Sequence, residues 1–359
     1  MQLKKESLLE EAQREEHNYQ WEKAAGLYEK IAKSLLENVL LEEAAKVYNK
    51  LGDICIRAVL ASETKEDYLF WNDKSVKAFV KAESLFNQTN YKLLGMECKA
   101  KALNAMSYVI TSVEEARKNL KKSVEIFLEL KEKYSKANDK KNYVKLSILA
   151  IESIISFMVI SKDPSELAFY NQMASNLIEK AWIHLKENVT IKIRRKLLWG
   201  ENMVINYNRW TELTYGDEKQ KEILKRFLKR CEETLHLAEN CDDYDDLGGI
   251  YGAFGFQNCI FGGLLVEEQK ERVKLAEKGF ELLEKSITFF RKSRHVLGAI
   301  TSRYALDYQA ATLGRYEYLQ KRILNDVHEV QKLDKIFDNL YTGLYCLMDF
   351  IPITYYNLF

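Results

Sequence analysis

Three groups of side chains in this chain carry residue types that do chemistry elsewhere. Cys231, His236 and Cys241 could offer thiolate and imidazole to a metal ion. Steps of five residues turn a helix by about 140°, however, so on helical segments the three point apart and cannot converge on one ion. The acidic run Asp242-Asp243-Tyr244-Asp245-Asp246 has the charge for calcium. A calcium loop starting at Asp242, Asp243 or Asp245 would need its closing glutamate at positions held by Ala253, Phe254 and Phe256, so a cap on a helix N-terminus explains the acids better. Gly248, Gly249, Gly252, Gly255, Gly262 and Gly263 do not form a dinucleotide loop, because Ile250 stands where the second glycine belongs. Gly248, Gly252, Gly255, Cys259 and Gly262 instead follow helical spacing and draw a seam of small residues, which predicts close helix packing. The five histidines lie far apart and no GxSxG, HExxH or phosphate-binding loop accompanies them. These readings predict no catalytic residue, no metal and no cofactor, hence a protein that is not an enzyme.

The elements that must carry these residues are helices. Pro164 and Pro352 are the chain's only prolines, and Lys, Glu, Leu and Ala fill long uninterrupted stretches. With 54 basic against 53 acidic residues, the surface is well solvated and has no net field for nucleic acid or an anionic membrane. The cysteines, Cys55, Cys98, Cys231, Cys241, Cys259 and Cys346, are scattered singly, which predicts reduced and mostly buried thiols. The N-terminus is charged and runs into an amphipathic helix, so no secretory signal is expected and the cytoplasm is the expected location. Ile250 to Val266 carries no charge but falls short of the roughly 20 residues a membrane span needs, so a buried helix is expected there and no membrane span.

Self-similarity organises the chain. Tyr48/Leu51/Gly52/Cys55, Tyr91/Leu94/Gly95/Cys98, Tyr244/Leu247/Gly248/Tyr251 and Arg294/Leu297/Gly298/Thr301 share one pattern of spacing, and Tyr143/Leu146/Ser147/Ala150 and Lys196/Trp199/Gly200/Met203 are weaker copies. The small residues stand at 52, 95, 147, 200, 248 and 298, a period near 50. Steps of three, four and seven place the four members of each copy on one helical face, and the small one lets a neighbouring helix approach. Trp21/Ala24/Ala25/Tyr28 repeats the spacing near the start, and Phe337/Leu340/Tyr341/Leu344 is a degenerate last copy. Between copies, Ala82/Phe86 and Cys231/Leu235/Ala238 read as the faces of second helices. Lys131 to Asn142 reads as a connector, and Asp163-Pro164 as a helix start with proline at its first position.

The pattern resembles the first helix of a tetratricopeptide repeat, W-x2-L-G-x2-Y, with a longer period than that family's usual 34. The resemblance implies an all-α, right-handed α-solenoid of tandem antiparallel helical hairpins, TPR-like with long repeats, over residues 1–359 as a single array. It further implies that first helices line a concave groove, so that Asn49, Asp53, Arg57, Lys92, Met96, Lys99, Glu152, Glu201, Asp245, His295 and Arg303 are candidate protein-binding residues. Lys92 followed by Met96, and Asn49 by Asp53, do not reproduce the clamp with which some members hold an acidic peptide tail. The expected role is a scaffold or adaptor that binds a peptide or helix in the groove; the alternative is a peptide-responsive regulatory sensor built on the same array. The expected partner is thus a protein or peptide, not nucleic acid. The apolar run Leu347 to Phe359 is expected to cap the last hairpin or to mediate self-association.

Overall fold

A computed structural model describes residues 2–108, 112–185, 190–211, 218–238, 240–261, 268–296, 298–299, 301–303 and 305–306. The C-terminal run 347–359, the degenerate copy at 337–344, Leu297, Cys346 and the seam member Gly262 lie outside them. Among the described residues the chain is all-α and contains no strand. The described residues form, in order, the helices α1 Gln2–His17, α2 Trp21–Glu37, α3 Leu41–Ala61, α4 Lys65–Asn87, α5 Lys92–Met106, α6 Val113–Lys136, α7 Lys140–Ile160, α8 Pro164–His184, α9 Ile191–Thr211, α10 Glu218–Leu237, α11 Tyr244–Phe261 and α12 Gln269–Lys292, with further helical residues after His295. They fall into two compact units, the first running to Ile160 and the second beginning at Ser161.

Local chemistry sets the helix ends. Thr64 and Ser112 accept the backbone N–H three residues on, and Asp163 accepts from Ser165 and Glu166 ahead of Pro164 at the first helical position. Asp243 Oδ1 accepts from the N–H groups of Asp245 and Asp246 at 2.9 and 3.2 Å, so the acidic run does begin a helix with a cap. Four connections share another device. Tyr19, Val39, Asn138 and Arg294 take left-handed backbone angles, φ 56 to 59°, and the following N–H reaches back to the carbonyl five residues earlier. This is the turn that closes a helix C-terminus and reverses the chain within three residues, and glycine is the residue it favours. One such turn, at 137–139, corrects the expected connector over Lys131 to Asn142: α6 continues through Lys136 and α7 resumes at Lys140. Lysine and glutamate are good helix formers, and the break falls only where Asn138 can adopt the left-handed angle.

Within each unit, consecutive helices pack on one another as stacked hairpins. From Tyr48 onward the described signature copies lie on separate odd-numbered helices, α3, α5, α7, α9 and α11, and on the helical residues that follow His295. The Ala82/Phe86 and Cys231/Leu235/Ala238 faces lie on the intervening α4 and α10. The Trp21 copy is displaced from this scheme. It sits on α2, where Glu29 pairs with Lys74 of α4, so it belongs to the layer of second helices despite its spacing. Leu51, Cys55, Cys98, Leu146 and Ala150 are almost fully buried, as a repeat core requires.

The small residues do what their spacing implies. A Cβ on Gly52 would strike the Phe79 ring of α4, and one on Gly248 would stand 2.7 Å from the Phe290 ring of α12. Along α11 the seam continues. Cβ atoms on Gly252 and Gly255 would meet Ser286 Oγ at 2.8 Å and the Leu283 backbone at 2.9 Å, and a Cβ on Gly279 would lie 2.6 Å from the Cys259 backbone nitrogen. The order 290, 286, 283, 279 runs opposite to 248, 252, 255, 259, so α11 and α12 are antiparallel and cross backbone against backbone. Cys55, Cys98, Cys231, Cys241 and Cys259 are free, and all but the half-buried Cys241 are buried. Among the described residues one helix, α7, is long and apolar enough to cross a membrane, and 72% of its apolar window is buried inside the protein.

Candidate functional site

The signature helices of a repeat array lie side by side, so residues one period apart face each other across a helix–helix seam. In the first unit, Lys101 Nζ on α5 donates to Asn49 Oδ1 at 3.1 Å and to both oxygens of Asp53 on α3 at 3.0 and 3.2 Å. It also stands 3.4 Å from Glu97 and 5.4 Å above the Phe79 ring. Burial alone would pull the Lys101 ammonium down, but Asp53 and Glu97 hold it above the ordinary lysine value. Glu97, 5% exposed at its side chain, receives Lys145 of α7 at 2.7 and 2.8 Å. Lys50 of α3 joins Glu16 of α1 at 2.6 Å. The face formed by α1, α3, α5 and α7 is therefore an alternating ladder of unlike charges.

In the second unit the corresponding groups are sealed. Arg195 of α9 donates to Asp245 at 2.6 Å and to Asp246 at 3.1 Å on α11, its aliphatic stem packed against Gly249. His295 Nδ1 lies 2.6 Å from the other oxygen of Asp245 and its ring meets Phe290 edge-on. Burial raises the Asp246 carboxyl above its ordinary value while Arg195 opposes the shift. Further along the same seam, Gln257 Nε2 donates to Asn202 and Asn206 at 2.6 and 3.0 Å.

The expected groove residues separate on this geometry. Asn49 and Asp53 come together on α3, and Asp245 and His295 come together one period apart. Arg57 and Glu152 are half-buried on α3 and α7. Lys92 and Lys99 are exposed, but they lie on a different side of α5 from Glu97 and Lys101. Met96, on their side, has its Sδ 4.0 Å from Lys133 of α6, so these three do not line the α3–α7 face. Glu201, Asp245 and Arg303 are 3, 4 and 7% exposed, which removes them from any contact surface. A residue facing outward at a given register in one repeat faces a neighbouring helix in another, because the helices differ in length and rotation.

Lys101, Glu97, Lys145, Arg195, Arg230 and Glu179 escaped the signature-based reading. Their signal is nonetheless present in the sequence. Asp53/Lys101 and Glu97/Lys145 are 48 residues apart, Arg195/Asp245 and Asp245/His295 are 50, and Glu179/Arg230 are 51, so potential partners recur at the repeat period. Among the described residues, no group of three or more His, Cys, Asp or Glu is placed to hold a metal ion.

No family model matches the sequence. No curated protein matches it. Among solved structures, the chain is similar to a "circular tandem repeat protein with novel repeat topology and enhanced subunit contact surfaces", at 12% identity and a TM-score of 0.32, over 94% of this chain and 84% of that one.

Proposed function

We propose that the chain is a protein-interaction scaffold of tetratricopeptide-like kind, which holds a peptide or helical segment against the α3–α5–α7 face of the first unit. The observation that supports this reading is the ladder's unequal accessibility. Asp53 keeps 48% of its side chain exposed, Lys145 43% and Lys50 40%, although each already has a partner on a neighbouring helix. The Lys50–Glu16 pair, partly exposed at both ends, contributes only about 0–1 kcal/mol, and the outer sides of Asp53 and Lys145 stay open to water, so a segment with a matching alternation of acids and bases can add to the ladder without stripping its buried ends. Five free thiols among the described residues suit a reducing compartment, which supports the cytoplasm as the setting.

The test is affinity capture from native extract with the intact chain and with Lys145→Glu, after circular dichroism has established that both have the same helix content. A partner held by the intact chain and lost from Lys145→Glu, with binding that weakens as salt rises, is the expected result. An identical set of captured proteins from both would remove this face from consideration.

A further inference from the structure

The chain is nearly neutral as a whole but not along α10. Between Lys219 and Arg230 six basic side chains stand against the single acid Glu222, whereas the full chain holds 54 bases and 53 acids. Leu224, Phe227 and Cys231 of the same helix are at most 4% exposed and fix its inner side. The cations then divide into two rows. Arg226 and Arg230 lean on α8, where Glu179 receives them at 2.8 and 3.2 Å. Arg230 also reaches Glu201 of α9 at 2.6 Å and lies 4.8 Å over the Trp182 ring. Lys221, Lys225 and Lys229 form the second row, four residues apart.

This lysine row is poorly matched within the chain. Its ion pairs stand at the two ends, Lys221 with Glu218 at 2.8 Å and Lys229 with Glu233 at 3.9 Å. Lys225 between them is exposed and has no carboxylate within 4 Å among the described residues. The neighbouring α8 supplies no further acid from Leu167 to Ile178, which carries no charge, and Glu179 is taken by the arginines. Like charges at i, i+4 and i+8 repel one another on a helix surface, so a partner's acids would relieve the row.

We infer that the lysine row of α10 is a docking stripe for an acidic helical segment of another protein, with carboxylates one turn apart. Four residues advance a helix by about 6 Å, so a partner helix laid along α10 with Glu or Asp at every fourth position meets each lysine in register. The acids around the row select this occupant. Glu218 and Glu233 lie at its two ends, and Glu222 is turned by about 100° from Lys221 around the helix. A registered helix avoids all three, whereas a nucleic acid strand, charged along its whole length, would run over those at the ends. The stripe belongs to the second unit and the α3–α5–α7 face to the first, so the two readings stand or fall separately.

The probe is a fluorescent alanine-based helical peptide with glutamate at every fourth position, compared with a counterpart carrying glutamine there. Anisotropy titrations of the full chain should show binding of the glutamate peptide, weakening as salt rises, and none of the glutamine peptide. Lys225→Glu/Lys229→Glu should lower the affinity by roughly tenfold or more. Both lysines are exposed, and circular dichroism confirms native helix content in the variant. Lys225→Gln/Lys229→Gln, with a smaller loss, keeps the test open if the charge reversal perturbs the fold. Lys77→Glu, at an exposed lysine of α4, is the control and should bind like the native chain. A glutamate peptide that does not bind, or that binds the native chain and both α10 variants alike, overturns the proposal. So does a thymidine oligonucleotide that binds more tightly than the peptide and is lost from the same variants.

Discussion

Gly248 and Gly95 occupy the same position of the repeat, yet they have different neighbours. A Cβ on Gly248 meets the Phe290 ring, which also packs within 2.9 Å of where a Cβ on Gly298 would stand, so the ring is pinned between two successive signature helices. Gly248→Ala should therefore destabilise by about 1–3 kcal/mol through overpacking. A Cβ on Gly95 meets chiefly the Asn87 side-chain oxygen, the far end of a side chain that can swing away. Gly95→Ala should cost little, and the gain in helix propensity, about 1 kcal/mol, can offset it. Chemical denaturation of both variants checks the contrast, and equal losses would contradict this assignment of neighbours. The need for a small residue was legible from W-x2-L-G-x2-Y alone. What the small residue faces was not, because Phe290, Phe79 and Asn87 belong to other helices whose rotation the pattern does not specify. The cysteines make a second residue-scale prediction. Burial pushes the Cys55 and Cys98 thiols up to about 12, so in the native chain they should resist alkylation at neutral pH, whereas half-buried Cys241 should react first among the described cysteines. Mass spectrometry after brief labelling gives the order.

At the scale of the element, helices were readable wherever hydrophobic periodicity ran uninterrupted, and misread where charge was taken for a connector. Lys131 lies within α6 and is 8% exposed, its ammonium 5.5 Å over the Tyr143 ring of α7, so its stem contributes to the core. The turns follow backbone geometry more than composition. Val39 sits at φ 59° between α2 and α3, an angle that costs a β-branched residue about 1–2 kcal/mol, and its side chain is 75% exposed with little packing to lose. Val39→Gly should thus raise the melting temperature, an outcome opposite to the effect of glycine inside a helix but in line with its preference for the turn that closes one. Seams between elements carry the larger energies. Lys101→Met would leave Glu97 with Lys145 as its remaining ion-pair partner and remove the cation from the half-exposed Asp53, so it should destabilise by about 1–2 kcal/mol. Lys77→Met, which breaks a pair exposed by 75 and 60% on α4, should leave the unfolding midpoint unchanged. Urea titrations of the two variants separate a seam from a surface pair, and a negligible loss for Lys101→Met would mean that the ladder does not hold α3 to α5.

Over the whole molecule, these seams decide how stability varies with pH. Most acidic chains lose stability on acidification because paired carboxylates sit below their ordinary values, as Glu29 does beside Lys33 and Lys74. That group contributes stability that is present above its unfolded value and lost as pH falls, well below neutrality. Glu201 acts in the opposite direction. Its folded value of about 7 lies above the 4.5 of an ordinary glutamate, because burial disfavours the charge more than Arg230 rewards it. A group raised on folding binds its proton more tightly in the folded chain, so its contribution is complete below about 4.5 and is lost as pH rises through about 7. Asp246, also raised by burial, has the same sign. From pH 5 to pH 8 the melting temperature of the native chain should fall, while Glu201→Gln should hold a flatter profile and exceed the native chain at the alkaline end. Differential scanning calorimetry at matched ionic strength measures both curves. A native melting temperature that climbs steadily over this interval would show that the Arg230 pair outweighs the burial of Glu201, and that the second unit is closed by its charges rather than in spite of them.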